Sequence, residues 1–409
     1  MSRIRIRNFG PIKDGYVDND GWMDVEKVTV FIGNQGSGKS TVAKVISSLT
    51  WLEKAINRGD VQKEKVSHAY FYQIFQYQRI KSYFKDNTEI DYIGDKITIT
   101  YNKKLQYPQI DIKRSNKFNV PKIMYVPAER NFLSVVKNAY GLKSLPDTLY
   151  TFAEELRKGQ IELNEKLLQL PIGGLNYKYN KENETSYLIG KGYEIDLIES
   201  SSGYQSLVPL YLVTKFLSDQ LQKGENVLRE QLNVEQSVRR NKEISEVMFN
   251  NDMDEIQKNE KVKEIDSKYL NTCFINIVEE PEQNLFPSSQ WQILQRLLQF
   301  NNCKQANKLI LTTHSPYIVN YLSITIQANY LKNKIKSNDL VSRLDHIVPI
   351  NSTVAASDIV IYQLDDESGV ITRLPDFEGI PTDKNYLNSS LAEGNRLFDS
   401  LLELEEELH

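Results

Sequence analysis

Polar and apolar positions alternate from the start of the chain, with Ile4 and Ile6 set between Arg3, Arg5 and Arg7. A period of two marks a half-buried strand, and the row of arginines places it near a sheet edge. Residues 25–32 are more uniformly apolar, as in a strand covered on both faces. They run straight into a glycine-rich loop, after which residues 41–55 take up helical spacing. Residues 61–91 read as helical and carry Tyr70, Phe71, Tyr72, Phe75, Tyr77, Tyr83 and Phe84. A subdomain packing its own rings is favoured over a base-stacking surface, because aromatic side chains serve burial first. Residues 96–101 and 109–113 alternate as a hairpin, and 122–126 form another strand. Residues 219–268 are charged, poor in aromatics and compatible with an inserted helical protrusion. Residues 274–278 and 309–313 are short apolar runs suited to buried parallel strands. Residues 359–364 and 370–374 flank Asp365-Asp366-Glu367-Ser368-Gly369, a hairpin signal. Leu397, Leu401, Leu404 and Leu408 recur at helical spacing near the end.

Composition narrows the classes. The 409 residues suffice for one large domain or two, and 40% hydrophobic with 25% charged residues is ordinary for a globular chain. A net charge of -4 gives no overall basic balance, so nucleic acid would need a local basic face. Two cysteines, Cys273 and Cys303, exclude a disulfide framework or a thiolate metal centre, and four histidines make a histidine-rich metal site a poor expectation. No apolar run approaches the ~20 residues of a membrane span. The alternating start lacks a signal-peptide core. A cytoplasmic protein without a membrane partner is expected.

Four segments carry chemistry. Gly33-Asn34-Gln35-Gly36-Ser37-Gly38-Lys39-Ser40 matches the phosphate-binding P-loop, with an apolar strand before it and a helix opening at Thr41 after it. Its backbone N–H groups would curl around phosphate oxygens, Lys39 would reach the β- and γ-phosphates, and the Ser40 hydroxyl would ligate Mg²⁺. The strand at 274–278 ends in Glu279-Glu280. Beside a P-loop, Glu279 would hold Mg²⁺ through its water shell and Glu280 would polarise the attacking water. The strand at 309–313 ends in His314, placed to contact the γ-phosphate and that water. Ser202, Gly203 and Gln205 open an apolar helix that offers N–H groups and hydroxyls to an anion; alone, the segment reads as an ordinary serine cap.

Together these segments resemble the ABC-type ATPases, and within them the branch of SMC and RecF-like proteins and the overcoming-lysogenization-defect (OLD) family. Residues 6–12 look like that branch's opening strand and turn. Ser202-Gly203-Tyr204-Gln205 stands where the family carries S-G-G-Q, with Tyr204 in place of the second glycine. Glu279-Glu280-Pro281-Glu282 through Pro287 looks like E-E-P-E-x-x-L-x-P, although most ABC proteins have Asp where Glu279 stands. Thr313-His314-Ser315-Pro316 is similar to the switch-histidine segment. Residues 125–131 occupy the place of the Q-loop without its glutamine, leaving Glu129, Arg130 and Asn131 as candidates for its role.

The resemblance implies an α/β fold of the ABC P-loop type, with a mixed central sheet, an antiparallel β lobe and an inserted helical subdomain. The organisation expected is 1–135 for the P-loop and β lobe with a helical insertion at 51–91, 136–270 for a helical lobe with the signature segment and the insertion at 219–268, and 271–409 for the acidic and histidine strands with a terminal hairpin and helix. It implies an ATPase that forms ADP and phosphate at a site shared between two copies of the chain. That makes a stand-alone AAA-type subunit, without a TOPRIM nuclease domain, acting as a nucleotide-gated switch on a protein effector in phage defence. The alternatives are a DNA-binding ATPase in DNA maintenance, with nucleic acid as partner, and an ATP-dependent scaffold that sequesters a toxin with little hydrolysis.

Overall fold

The computed structural model describes residues 2–114, 118–136, 142, 144–223 and 232–406. In chain order its strands are β1 (Ser2–Phe9), β2 (Gly15–Tyr16), β3 (Met23–Val25), β4 (Val28–Gly33), β5 (Phe84–Ile93), β6 (Ile97–Asn102), β7 (Gln109–Ile112), β8 (Pro121–Val126), β9 (Leu168–Gln169), β10 (Asn176–Asn180), β11 (Thr185–Gly190), β12 (Tyr193–Asp196), β13 (Cys273–Glu279), β14 (Lys308–Thr313), β15 (Ile359–Leu364) and β16 (Val370–Arg373). The helices are α1 (Lys39–Arg58), α2 (His68–Tyr77), α3 (Phe132–Val135), α4 (Asp147–Leu163), α5 (Ser202–Lys223), α6 (Val234–Met248), α7 (Glu255–Tyr269), α8 (Pro287–Asn302), α9 (Pro316–Lys334), α10 (Asn338–Ile347) and α11 (Tyr386–Glu406).

A mixed seven-stranded sheet, in the order β2-β16-β15-β4-β14-β13-β8, forms the centre. Strands β8, β13, β14, β4 and β15 are parallel, and β16 turns back antiparallel on β15. Apolar side chains leave these strands on both faces. Val28, Val30, Ile32, Val278 and Leu311 join the core under α5, α8 and α9, whereas Phe31, Ile277 and Ile310 join the core shared with α1 and the β lobe. Cover on both faces is why the strands read as continuous apolar runs. The register brings four carboxyl ends together, pairing Glu279 with Thr312, Thr313 with Ile32, and Leu364 with Gly33. Ligands of parallel α/β sheets bind at such ends.

The β lobe is an antiparallel sheet in the order β3-β1-β5-β6-β7. Strand β1 lies near the edge as expected, one strand in from the edge strand β3, but its arginines are not an unpaired edge row. Arg3 pairs with Asp24 of β3, and Arg5 and Arg7 pair with Asp91 and Glu89 of β5, so the charges are cross-strand partners. The aromatic segment is helical only as far as α2. Residues 84–91, expected as helix, belong to β5, where Thr88, Ile90 and Tyr92 alternate inward. The rings of Phe9, Phe71, Phe75, Phe84 and Tyr101 pack edge-on and stacked against one another, which is burial within the lobe.

Residues 136–270 hold more than helices. A four-stranded antiparallel sheet, β12-β11-β10-β9, lies between α4 and α5. The protrusion begins later than residue 219, because Leu221 still packs in the core at the end of α5. Helices α6 and α7 form a charged pair joined by Arg240–Asp266 and Lys268–Glu243, and Arg239 ties α6 to Asp60 beyond the end of α1. Helix α11 is present, but Leu397, Leu401 and Leu404 are 58–62% exposed, so its leucine face does not cover the chain's own core. Leu408 lies outside the described residues. Among the described residues no helix is long and apolar enough to cross a membrane.

Candidate active site

The P-loop follows β4 and leads into α1. Gly33 has φ +148, and a Cβ there would fall 2.3 Å from the Leu364 carbonyl oxygen, so only glycine allows β15 to close this side of the loop. Asn34, Gln35 and Gly36 form an exposed tip, whereas Ser37, Gly38, Lys39 and Thr41 are buried and Ser40 is half-buried. The first helical bond runs from the Val42 N–H to the Gly38 carbonyl. The N–H groups of Lys39, Ser40 and Thr41 therefore have no acceptor within the helix and suit an anion.

Lys39, Glu280 and His314 meet at the strand ends. Lys39 Nζ donates to the Gly33 and Asn34 carbonyls at 2.9 and 2.7 Å and stands 3.4 Å from His314 Nδ1. His314 Nε2 is 3.5 Å from Glu280 Oε1. Burial lowers the Lys39 ammonium to about 8, against the raising influence of Glu280, Glu282, Asp366 and Glu279. Contact with His314 holds the Glu280 carboxyl below its usual range, aided by the charges of Arg130 and Lys39 and opposed by burial. Glu280 is therefore ionised at neutral pH. A phosphate bound against Lys39 should accordingly be held more weakly as pH rises through about 8, approaching about tenfold per pH unit, because it must then recruit a proton to Lys39. Calorimetry across pH 7–10 checks this, and proton uptake should accompany binding at the alkaline end.

Arg130 organises the acidic end of β13. It is fully buried, and its guanidinium donates to the carbonyls of Glu279 (2.7 Å), Glu280 (2.7 Å), Ser206 (3.1 Å) and Pro127 (3.3 Å). Glu280 has φ +44, a left-handed conformation costing a non-glycine residue on the order of 1 kcal/mol. Its N–H bond to the Thr312 carbonyl at 2.9 Å and the Arg130 clamp hold it there. Of the three Q-loop candidates, Arg130 is thus the one bonded to the acidic strand, although through backbone oxygens. Glu279 is buried and accepts the Ala128 N–H at 3.2 Å. Ser40 and Glu279 offer hard oxygens, which fits a Mg²⁺ held mainly by phosphate and water. Among the described residues no group of three or more His, Cys, Asp or Glu could cage a metal without such help.

Glu282 and Asp366 were not assigned a role by sequence reasoning. The buried Glu282 accepts from the Thr313 hydroxyl (2.8 Å) and the His314 N–H (2.7 Å), fixing the histidine loop to the acidic loop. Residues 365–369 form the expected hairpin turn, in which Asp365 accepts from Ser368. The adjoining Asp366 also accepts from Asn34 Nδ2 at 3.0 Å, which ties the turn to the P-loop. Only the pairing of strand ends reveals either contact.

Ser202, Gly203 and Gln205 do open α5, with Ser202 exposed. A Cβ on Gly203 would approach the Asn284 carbonyl oxygen to 2.9 Å, and Asn284 Nδ2 donates to Ser206 Oγ at 3.0 Å, so the helix start lies against the loop after Glu280. The Tyr204 hydroxyl reaches Gly173, whose missing side chain makes room for it. Gln205 Nε2 donates to the Ile198 and Ser200 carbonyls. Among the described residues no hydrogen bond joins residues 202–206 to the P-loop.

No family model and no curated protein matches this chain. Solved structures do. The SMC head domain from Thermotoga maritima is 12% identical at a TM-score of 0.39, covering 92% of this chain and 98% of that one. An SMC head bound to the C-terminal winged-helix domain of ScpA is 9% identical at 0.37, covering 91% and 95%. A dimeric ATP-binding cassette in a post-hydrolysis state with ADP and phosphate is 11% identical at 0.31, covering 92% and 100%. These overlaps are loose.

Proposed function

We propose that the protein is an ATPase of the ABC type whose two active sites form between two copies of the chain. The carrying observation is the row Lys39–His314–Glu280, with neighbours 3.4 and 3.5 Å apart, at the carboxyl ends of adjacent parallel strands. The P-loop backbone and Lys39 bind the phosphates. Ionised Glu280 orients and polarises water toward the γ-phosphorus, and His314, placed between Glu280 and Lys39, holds that water and the γ-phosphate oxygen. Mg²⁺ at Ser40 and Glu279 would neutralise developing phosphate charge.

The exposed α5 start supports sharing of the site. Ser202 is exposed on the chain that owns it, and the ordered backing of the helix start by Asn284, Gly173 and Arg130 suits it to receive a second copy's γ-phosphate. Because Arg130 bonds the backbone carbonyls of both Ser206 and Glu280, a shift of α5 on closure reaches the backbone that carries the hydrolytic carboxylate. The output of this switch passes to a protein partner, and the charged α6–α7 pair anchored to α1 through Asp60 is the element placed to carry it. Phage defence is the setting the sequence resemblance favours.

Lys39→Ala tests the binding half of this reading. Losing the ammonium leaves phosphate charge uncompensated, and ATP affinity should drop by ~100-fold or more. Equilibrium binding of a fluorescent ATP analogue measures it, with unchanged affinity counting against the P-loop assignment.

A further inference from the structure

Gln290 lies near the start of α8 and is buried, as is Ser315. Its side-chain amide spans two loops. Nε2 donates to the Leu285 carbonyl at 2.9 Å, and Oε1 accepts the Ser315 hydroxyl at 2.6 Å. A backbone carbonyl can only accept, so one orientation of the amide satisfies both sides. Leu285 belongs to the loop that follows Glu280, and Ser315 directly follows His314.

Ser315 is the N-cap of α9, a position where a serine oxygen ordinarily accepts an N–H of the turn that follows. No such side-chain bond forms here. The hydroxyl turns to Gln290 instead, and Thr313 Oγ1 accepts the Ser315 N–H at 2.9 Å. His314 thus stands between two anchored residues. Thr313 is bonded to Glu282, Ser315 is bonded to Gln290, and the His314 N–H is itself held by Glu282. The far end of the bridge meets α5. Asn284, just before Leu285, donates to Ser206 Oγ at 3.0 Å, and its carbonyl oxygen is the atom that a Cβ on Gly203 would approach. Arg130 ties α5 to the Glu280 backbone, whereas this route leads from α5 to His314.

We propose that Gln290 is a positioning residue that sets His314 against Glu280 and passes the position of the α5 start to it. Its action is indirect, through Ser315. When α5 receives a second copy's nucleotide, a shift of Asn284 and Leu285 moves the amide, and with it Ser315 and the adjoining imidazole. His314 Nε2 is 3.5 Å from Glu280 Oε1, a spacing at which small displacements change rates strongly. The effect on turnover rests on the ATPase reading; the placement of His314 does not.

Gln290→Met keeps the length of the side chain and removes both bonds. It should lower kcat about tenfold while ATP affinity stays within about twofold of the parent's. Ser315→Ala removes one hydroxyl and no helix cap, and should lower kcat about three- to tenfold. The double variant should be no slower than Gln290→Met, because both changes remove the same bond. In the nucleotide-free chain the imidazole NMR signals of His314, identified by their loss in His314→Asn, should shift in both variants, and those of His68, His346 and His409 should not. Unchanged kcat in both single variants, effects that add in the double variant, or ATP affinity falling as far as kcat would overturn the proposal. Thermal melting verifies the fold, and Ser315→Ala decides alone if Gln290→Met does not fold. A parent chain that hydrolyses no ATP would remove the ATPase reading and leave the spectra to decide. Unmoved His314 signals overturn the positioning in either case.

Discussion

Glu280→Gln is expected to reduce ATP turnover by ~10²–10⁴-fold while leaving ATP bound. The amide keeps the shape of the side chain but carries no charge and cannot accept a proton. The carboxylate it replaces is held ionised by His314, Arg130 and Lys39, so all of this electrostatic support is lost with it. The phosphate cradle is a separate group of atoms, the P-loop backbone and Lys39, and stays intact. ATP that is bound and not hydrolysed should hold two chains together, and light scattering should show a dimer persisting in ATP and dissolving when ATP is removed. Glu279 and Glu282 cannot take over the role. Glu279 is engaged by the Ala128 N–H, and Glu282 is buried in contact with Thr313 and His314. Turnover at the normal rate in the variant would reassign the base.

The second large effect is expected at a residue remote from any phosphate contact. Arg130→Ala should destabilise the fold by about 3–5 kcal/mol and remove turnover even where the chain remains folded. Four backbone carbonyls converge on this guanidinium, and deletion leaves them in a cavity the size of its side chain. Burial lowers the Arg130 pKa to about 10, against the carboxylates of Glu282, Glu280 and Glu279, so it remains charged at neutral pH and complements the acidic end of β13. Without the clamp, Glu280 has less reason to keep its left-handed backbone. Arg130→Lys retains charge but not the planar fork that serves several carbonyls at once, and should fall between the two. Chemical denaturation gives the stability change. A variant as stable and active as the parent would mean the clamp contributes nothing.

Much of the candidate site was legible in the sequence because its parts are continuous. The P-loop lies within eight residues, and the acidic and histidine segments each sit at the end of an apolar run whose both-face burial is visible as a pattern. Arg130 left no such signal, since its partners are carbonyl oxygens, which every residue possesses. Glu282 and Asp366 gain their roles from strand ends that meet only in the folded sheet. The sheet of β9 to β12 escaped notice because it is short and buries tyrosines, Tyr177 and Tyr179, between polar positions instead of an apolar run. The pairing of the β1 arginines was hidden for a similar reason. Arginines read as solvent-facing charge when their acidic partners, Asp91 and Glu89, are more than eighty residues away.

The central claim is that one chain's P-loop is completed by the α5 start of another, and mixed dimers test it most directly. Ser202→Arg should block hydrolysis yet spare ATP binding on the same chain, whereas Lys39→Ala should lose binding. Each variant alone has no intact site. An equal mixture that exchanges freely is half mixed dimers, each with one whole site of two, so activity should return to about a quarter of the unmodified protein's. Mixed dimers shown to form, with no recovery of hydrolysis, would contradict a shared site.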